Sequence, residues 1–328
     1  MQAVHCQELT GLDGLRLVDA PLPLLDAGGI LIDVRAAGVN FADTLITRGD
    51  YQEQPPLPFA PGMEVAGIVR ETAIYVNNAA PGDRVLALLN HGGYAEVAAA
   101  HEADVIKIPD AMDFATAATF PVVYLTSHLA LQHRARLERG EVLLVHGASG
   151  GVGLTAVEVG KALGATVIAS ASSSEKLEVA RAHGADLLIN YAEEDIRERV
   201  LELTGGADVV YDPVGGDAFR ASLRCINPGG RILVIGFASG DVPQIPANHL
   251  LVKDASALGL SLGQVRKHQP QLIRESLAEL LDWWASGKLK PLVSETVPLP
   301  EYERALNAVT GRRVTGKIAL LPTERDHE

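Results

Sequence analysis

The sequence predicts an α/β protein, a doubly wound parallel sheet accompanied by a second, β-rich region. Three observations carry this. From Glu141 onward, strand, glycine turn and helix recur in order, as βαβ units require. Before about residue 110, short β-like runs are separated by Pro and Gly turns. The chain has 32 Gly and only 5% aromatic residues, a composition suited to tightly wound strand–helix units whose backbones approach closely. A length of 328 residues accommodates two domains.

The elements follow in order. Leu31–Ala36 and Val65–Val69 read as strands, and the Pro81-Gly82-Asp83 turn leads into a third at Arg84–Leu88. The pattern changes near residue 112, where Ala115–Ala118 and Thr126–Arg136 look helical. Val142–Val145 is a continuous apolar run, expected of a strand buried on both faces. The glycine cluster 147–153 follows, and Val152, Ala156, Val159 and Leu163 then fall at helical spacing up to Gly164. Thr166–Ala169 is the next strand, Lys176–His183 a helix stopped by Gly184, and Leu187–Tyr191 the third strand. Asp208–Asp212 and Arg231–Gly236 continue the alternation. An amphipathic helix at Leu272–Trp284, with Trp283 and Trp284 read as packing residues, and a terminal strand at Lys317–Leu321 complete the chain.

Composition excludes several function classes. The net charge is −13, which disfavours coating nucleic acid, because phosphate binding needs a positive surface. The only cysteines, Cys6 and Cys225, offer neither a Cys-x-x-Cys pair nor a four-thiolate zinc lobe, and read as reduced cytosolic thiols. No secretory leader and no uncharged apolar run of about 18 residues is visible. A cytoplasmic protein without membrane contact is expected.

Gly147-Ala148-Ser149-Gly150-Gly151-Val152-Gly153 lies between a buried strand and a periodic helix, the context of a dinucleotide-binding loop. Small residues let the backbone of Ala148, Ser149, Gly150, Gly151 and Val152 approach a pyrophosphate, whose charge then faces a helix N-terminus. The same residues match the Gly-x-Ser-x-Gly elbow of α/β-hydrolases, with Ser149 as nucleophile. His249 and His268 are the downstream histidines that sequence alone leaves open for that reading; His183 and His327 are poorly placed for it. The second strand bears on nucleotide choice. Where an NAD site carries an acid for the ribose hydroxyls, this chain has Ser170, Ser172, Ser173 and Lys176, which suit a 2′-phosphate. Glu175 falls later, where it starts a helix. Tyr191 is placed to pack beside the adenine end. NADPH is therefore the expected cofactor.

Several motifs together resemble a known family. Ala37–Asp43, Arg48-Gly49-Asp50-Tyr51, Pro61–Gly67, Pro81–Val85, Gly147–Gly153 and Asp212-Pro213-Val214-Gly215-Gly216 are similar, in order and spacing, to the quinone oxidoreductase (zeta-crystallin-like) branch of the medium-chain dehydrogenase/reductase superfamily. The resemblance implies a discontinuous GroES-like β-barrel domain, residues 1–121 and 262–328, enclosing a Rossmann domain at 122–261. It also implies a homodimer joined through the last strands of the nucleotide domains. The loop 71–78 lacks the glycine that relatives often carry before Pro81-Gly82-Asp83, a departure confined to barrel geometry.

Zinc-dependent members of the superfamily carry a Cys after the Gly38-Val39 position and a His in Gly-His-Glu; this chain has Asn40 and Met63 there. A thioether is a poor zinc ligand, and His128 and His133, five positions apart, would diverge by about 140° on an α-helix. No metal site is expected. Without a Lewis acid, reduction of a quinone or an α,β-unsaturated carbonyl is the chemistry implied. The resemblance places Tyr51 as proton or hydrogen-bond donor and Asn40 at the nicotinamide ribose and substrate. It places Thr126, Val214 and the backbone of Gly236, Phe237 and Ala238 at the nicotinamide end, while Asp43 and Arg48 read as a structural polar pair. A nucleotide-binding protein without turnover is the alternative, with the hydrolase behind it.

Overall fold

The computed structural model describes residues 1–322. The chain divides into two compact units, one of Met1–Val122 with Pro291–Glu328 and the other of Val123–Lys290. The second division thus falls after Lys290, whereas the sequence reading puts it at residue 262. Helix Pro270–Ala285 explains the difference. Its buried stripe of Ile273, Leu277, Leu280 and Leu281 looks like the returning domain in sequence, but Glu279 accepts a hydrogen bond from Gln132 of the Val123–Lys290 unit.

The strands, in chain order, are β1 (Gln2–Cys6), β2 (Leu15–Asp19), β3 (Gly29–Gly38), β4 (Glu64–Thr72), β5 (Arg84–Leu88), β6 (Val97–His101) and β7 (Val105–Lys107). The other unit contributes β8 (Val142–His146), β9 (Thr166–Ala171), β10 (Leu187–Asn190), β11 (Ala207–Asp212), β12 (Ile226–Val234) and β13 (Ser256–Gly259). The chain returns for β14 (Val293–Pro298) and β15 (Lys317–Leu321).

In the unit formed by the two chain ends, a seven-stranded sheet runs β14-β15-β3-β4-β5-β7, with β6 also on β3, beside the β1-β2 hairpin. Pairing is antiparallel except between β14 and β15. Ile30, Ile32, Val65, Val85, Ile318 and Leu320 form its core. The terminal strand closes against β3, Ala319 opposite Gly38, which fixes the position of Lys317 two residues before it. The glycine-poor loop after β4 has a local consequence. Tyr75, 88% exposed, takes a left-handed φ of 78°, a conformation that costs a non-glycine residue about 1–2 kcal/mol.

The other unit is a six-stranded, wholly parallel sheet ordered β10-β9-β8-β11-β12-β13. Leu143, Leu144 and Val145 of β8 are fully buried, as a central strand covered on both sides must be. The order reverses between β8 and β11, the position at which such folds bind ligands outside the carboxyl ends of their strands.

The helix expected over residues 126–136 is two helices in series. The α-helix Pro121–His128 widens into a π-helical stretch, Leu129–Arg134, marked by Ala135 N–H donating to Ala130 O. A π turn bonds five residues back, so residues five apart share a face. His128 and His133 therefore converge, their rings edge-to-face at 5.5 Å, against the divergence expected of an α-helix. His128 also meets Trp283 edge-on at 5.3 Å.

Candidate functional site

The nucleotide-type residues gather at the carboxyl edge of the parallel sheet. Helix Gly151–Leu163 starts at Gly150, and no side chain caps it. Its first N–H groups thus remain available to an anion. Gly153 explains how loop and helix pack so closely: a Cβ there would lie 2.1 Å from Gly147 O. Gly147 in turn lies against Val214, whose Cγ2 would be 3.4 Å from a Cβ on Gly147. Ala148 and Ser149 are buried. The loops after β8 and β11 are thereby held side by side.

The loop after β11 is fixed by Asp212, whose Oδ1 accepts from the N–H groups of Val214 (2.8 Å) and Gly215 (2.9 Å). The loop after β12 is tied to it. Gly236 N–H donates to Asp212 O, Ala238 N–H to Pro213 O and Ser239 N–H to Val214 O. Of the three residues assigned to the nicotinamide end, Gly236 and Ala238 thus have their N–H groups committed to the protein, while the N–H of Phe237 has no such partner among the described residues.

At the end of β9, Ser173 caps helix Ser174–Ala182, its hydroxyl accepting from Lys176 N–H at 3.4 Å. The same hydroxyl helps to hold Glu175 below the usual carboxylate range. Ser172 and Lys176 are half-buried beside it. Tyr191, 45% exposed, donates its N–H to Ala171 O, which brings the ends of β9 and β10 together. No Asp or Glu stands between Ala171 and Ser174.

Beneath this edge lies a polar link that sequence reasoning missed. His146, fully buried, bonds Ser170 Oγ through Nδ1 (2.9 Å) and Ser222 Oγ through Nε2 (2.8 Å). Burial holds its imidazole below the ordinary range, so the ring is neutral. Both nitrogens being taken, His146 offers no base to Ser149, and no histidine contacts that hydroxyl among the described residues. His249 and His268, the two histidines left open for a hydrolase, are exposed. Thr126 is buried in helix Pro121–His128. Its neighbours are anchored: Tyr124 donates to Glu158 at 2.6 Å, and Ser127 Oγ lies 3.1 Å from the Tyr211 hydroxyl.

The acceptor-type residues lie in the other unit, around a buried polar cluster. Asn40 follows β3 and opens the short helix Phe41–Ile46. Its Nδ2 donates to Glu64 Oε1 at 2.8 Å, and Lys317 Nζ donates to its Oδ1 at 2.5 Å. Lys317 completes its donors on Glu64 Oε1 (2.9 Å) and Val39 O (2.8 Å). Glu64 Oε2 accepts from Val122 N–H. Gly38 makes room for this cluster, because a Cβ there would lie 2.3 Å from Glu64 Oε1. Asp43 Oδ2 accepts from Asn40 N–H and from the Tyr94 hydroxyl, both at 2.8 Å. Asp43 thus pairs with Tyr94 and not with Arg48, which is exposed and packs its stem over Gly11. Tyr51 is half-buried against the same core. Burial, then Glu53 and Asp43, push its phenol above the usual range. Met63 is buried, and no group of three or more His, Cys, Asp or Glu is placed to hold a metal ion among the described residues.

Comparison with known proteins decides the family. Residues 26–110 match the alcohol dehydrogenase GroES-like domain and residues 151–283 the zinc-binding dehydrogenase family. The quinone oxidoreductase-like protein 2 homolog of Nematostella vectensis is 40% identical over 300 residues, 90% of this chain and 82% of that protein. Human quinone oxidoreductase is 32% identical over 326 residues, 98% of both. This chain belongs to the zeta-crystallin-like quinone oxidoreductases of the medium-chain dehydrogenase/reductase superfamily. Escherichia coli quinone oxidoreductase, solved in complex with NADPH, superposes with a TM-score of 0.92 at 32% identity, covering 98% of this chain and 100% of that one.

Membership makes the chain an α/β oxidoreductase with a GroES-like domain and a Rossmann domain. The hydrogen bonds around Asn40 and Asp43 add Glu64, Tyr94 and Lys317, to which the sequence reading gave no role. A weak signal existed for two of them. Glu64 and Lys317 are the single charged residues opening the otherwise apolar runs Val65–Val69 and Ile318–Leu321.

Proposed function

We propose that this quinone oxidoreductase-family chain is a zinc-independent, NADPH-dependent reductase of quinones or α,β-unsaturated carbonyls, acting in the cytoplasm as a homodimer. The observation that carries the reading is the sheet's carboxyl edge. An uncapped helix N-terminus on a glycine loop stands beside Ser172 and Lys176, with no carboxylate at the end of β9 to repel a 2′-phosphate. These residues fit NADPH, which when bound supplies a hydride from the nicotinamide ring. The NADPH complex of the E. coli relative supports the same cofactor.

The chain's own residues then divide the work. Ser149, Gly151 and Val152 offer backbone N–H groups to the pyrophosphate, while Ala148 and Gly150, whose N–H groups go to Ser170 O and Gly147 O, line its approach; Ser172, Ser173 and Lys176 bind the 2′-phosphate, and Tyr191 flanks the adenine. Thr126, Val214 and the backbone of Gly236, Phe237 and Ala238 orient the nicotinamide end. Asn40 and Tyr51 bind the acceptor oxygen. Where negative charge develops on that oxygen, Tyr51 Oη, a phenol that burial keeps in its neutral form, would donate the hydrogen bond or the proton to it. Asn40 and Met63, standing where zinc-dependent relatives hold Cys and His, support a reaction without a metal.

Following nicotinamide absorbance with quinones, enones and enoyl thioesters tests the reading, with NADPH and NADH run in parallel. NADPH oxidation by at least one acceptor, with NADH about tenfold or more weaker, is expected. NADPH binding without turnover would leave a non-catalytic nucleotide-binding protein, and failure to bind either nucleotide would overturn the proposal.

A further inference from the structure

Lys317 opens β15 and Asn40 follows β3, 277 positions apart, yet the β15–β3 register brings them into contact. Their geometry determines which way the Asn40 carboxamide points. An ammonium only donates hydrogen bonds and a carboxylate only accepts them. Lys317 must therefore face Oδ1, and Glu64 must face Nδ2. Turning the amide over would set donor against donor at Lys317 and acceptor against acceptor at Glu64, in a site where Lys317 and Glu64 are 6% and 0% exposed. Unpaired polar groups buried to that degree are costly, so one orientation is enforced.

The remaining valences are then fixed as well. Lys317 has all three donors engaged, on Val39 O, Asn40 Oδ1 and Glu64 Oε1. Asn40 uses one Nδ2 hydrogen on Glu64, its backbone N–H on Asp43, and its Oδ1 on Lys317. Among the described residues a single Nδ2 hydrogen is left with no protein partner. A cation on Oδ1 draws electron density from the amide nitrogen, which makes that free N–H a stronger donor.

We propose that Lys317, paired with Glu64, is the positioning residue that locks and polarises the Asn40 carboxamide so that its free Nδ2–H meets the oxygen of the quinone or enone as negative charge develops there. This rests on the reading of Asn40 as an acceptor-binding residue. The pair is neutral overall, so what it supplies is a donor already fixed in place when charge develops on the reacting oxygen.

Lys317→Met alone leaves Glu64 as an unpaired buried charge and threatens folding. The deciding protein is therefore the neutral double variant Lys317→Met/Glu64→Gln, checked by thermal melting and compared with Asn40→Ala and with the triple variant. Steady-state kinetics with a quinone and fluorescence titration with NADPH are the readouts. The double variant is expected to lose about 10- to 100-fold in kcat while its NADPH affinity stays within about twofold. Asn40→Ala should lose a comparable amount, and the triple variant no more than Asn40→Ala alone, because Lys317 acts through Asn40. Losses that multiply in the triple variant, or an undiminished kcat in the double variant, would overturn the proposal. Wild-type protein that fails to oxidise NADPH with any of the acceptors would instead remove the reductase reading on which it rests.

Discussion

Asp43 carries an electrostatic conflict. Its Oδ2 accepts two hydrogen bonds, from Asn40 N–H and Tyr94, which favour the carboxylate, but Oδ1 is buried with no partner. Desolvation outweighs the hydrogen bonds and Lys317, with Glu64 adding to it, and the carboxyl is pushed from 3.8 up to about 6. The folded protein therefore holds this proton more tightly than the unfolded chain does. Asp43's contribution is most favourable below about pH 4, declines as pH rises to about 6 and is constant above, a change of about 3 kcal/mol. Asp43→Asn keeps the shape and an acceptor for both donors but does not titrate. In urea unfolding at a series of pH values, wild type should lose stability relative to Asp43→Asn between about pH 4 and pH 6; parallel curves would refute the assignment. Little of this was legible beforehand. Asp43 and Arg48 sit five apart in sequence and suggest a local pair, whereas the actual partner, Tyr94, is 51 positions away. Sequence spacing reports neighbours along a helix and is silent on contacts that a sheet makes across strands.

At the scale of elements, legibility followed periodicity. The apolar run of β8, the glycine loop and the helix to Leu163 read directly, because strand burial, turn and helix each leave a local pattern. The π-helical stretch did not, since one widened turn changes the period for only a few residues and leaves composition untouched; hence the misjudged relation of His128 to His133. The polar link from His146 to Ser170 and Ser222 was equally hidden, joining one strand to another strand and a helix. The glycine loop allows a direct test. A methyl group on Gly153 would strike Gly147 O, backbone against backbone, with no rotamer to relieve it. Gly153→Ala should destabilise the protein by about 1–3 kcal/mol, read from thermal or urea unfolding. By displacing the loop it should also weaken NADPH about tenfold or more, read by fluorescence titration. A variant with wild-type affinity would show that the loop's close packing on its helix is unrelated to nucleotide binding.

At the scale of the molecule, the split domain was legible only through motif order, and its second boundary was misplaced because an amphipathic helix carries no mark of the sheet it serves. The parallel sheet has a further consequence. Its order ends at β13, which pairs with β12 on one side only. An edge strand offers unpaired N–H and C=O groups to any second strand, and proteins that do not use such an edge blunt it with charge or proline. Ser256-Ala257-Leu258-Gly259 carries neither, and all four residues are at least partly exposed, in contrast to fully buried Leu143–Val145 at the sheet's centre. The preceding helix, Ala247–Lys253, adds Leu251 and Val252 at 82% and 81% exposure. An uncharged edge beside exposed apolar side chains, in a chain of net charge −13 that would otherwise repel its copy, fits an interface with a second copy. Sedimentation velocity should give about twice the 34.7 kDa chain mass at micromolar concentration. Leu258→Lys, a charge placed on the edge, should shift the protein towards monomer while leaving NADPH affinity within about twofold, because the nucleotide residues lie on other loops. A wild-type monomer would refute the dimer, and a Leu258→Lys dimer of unchanged affinity would place the interface elsewhere.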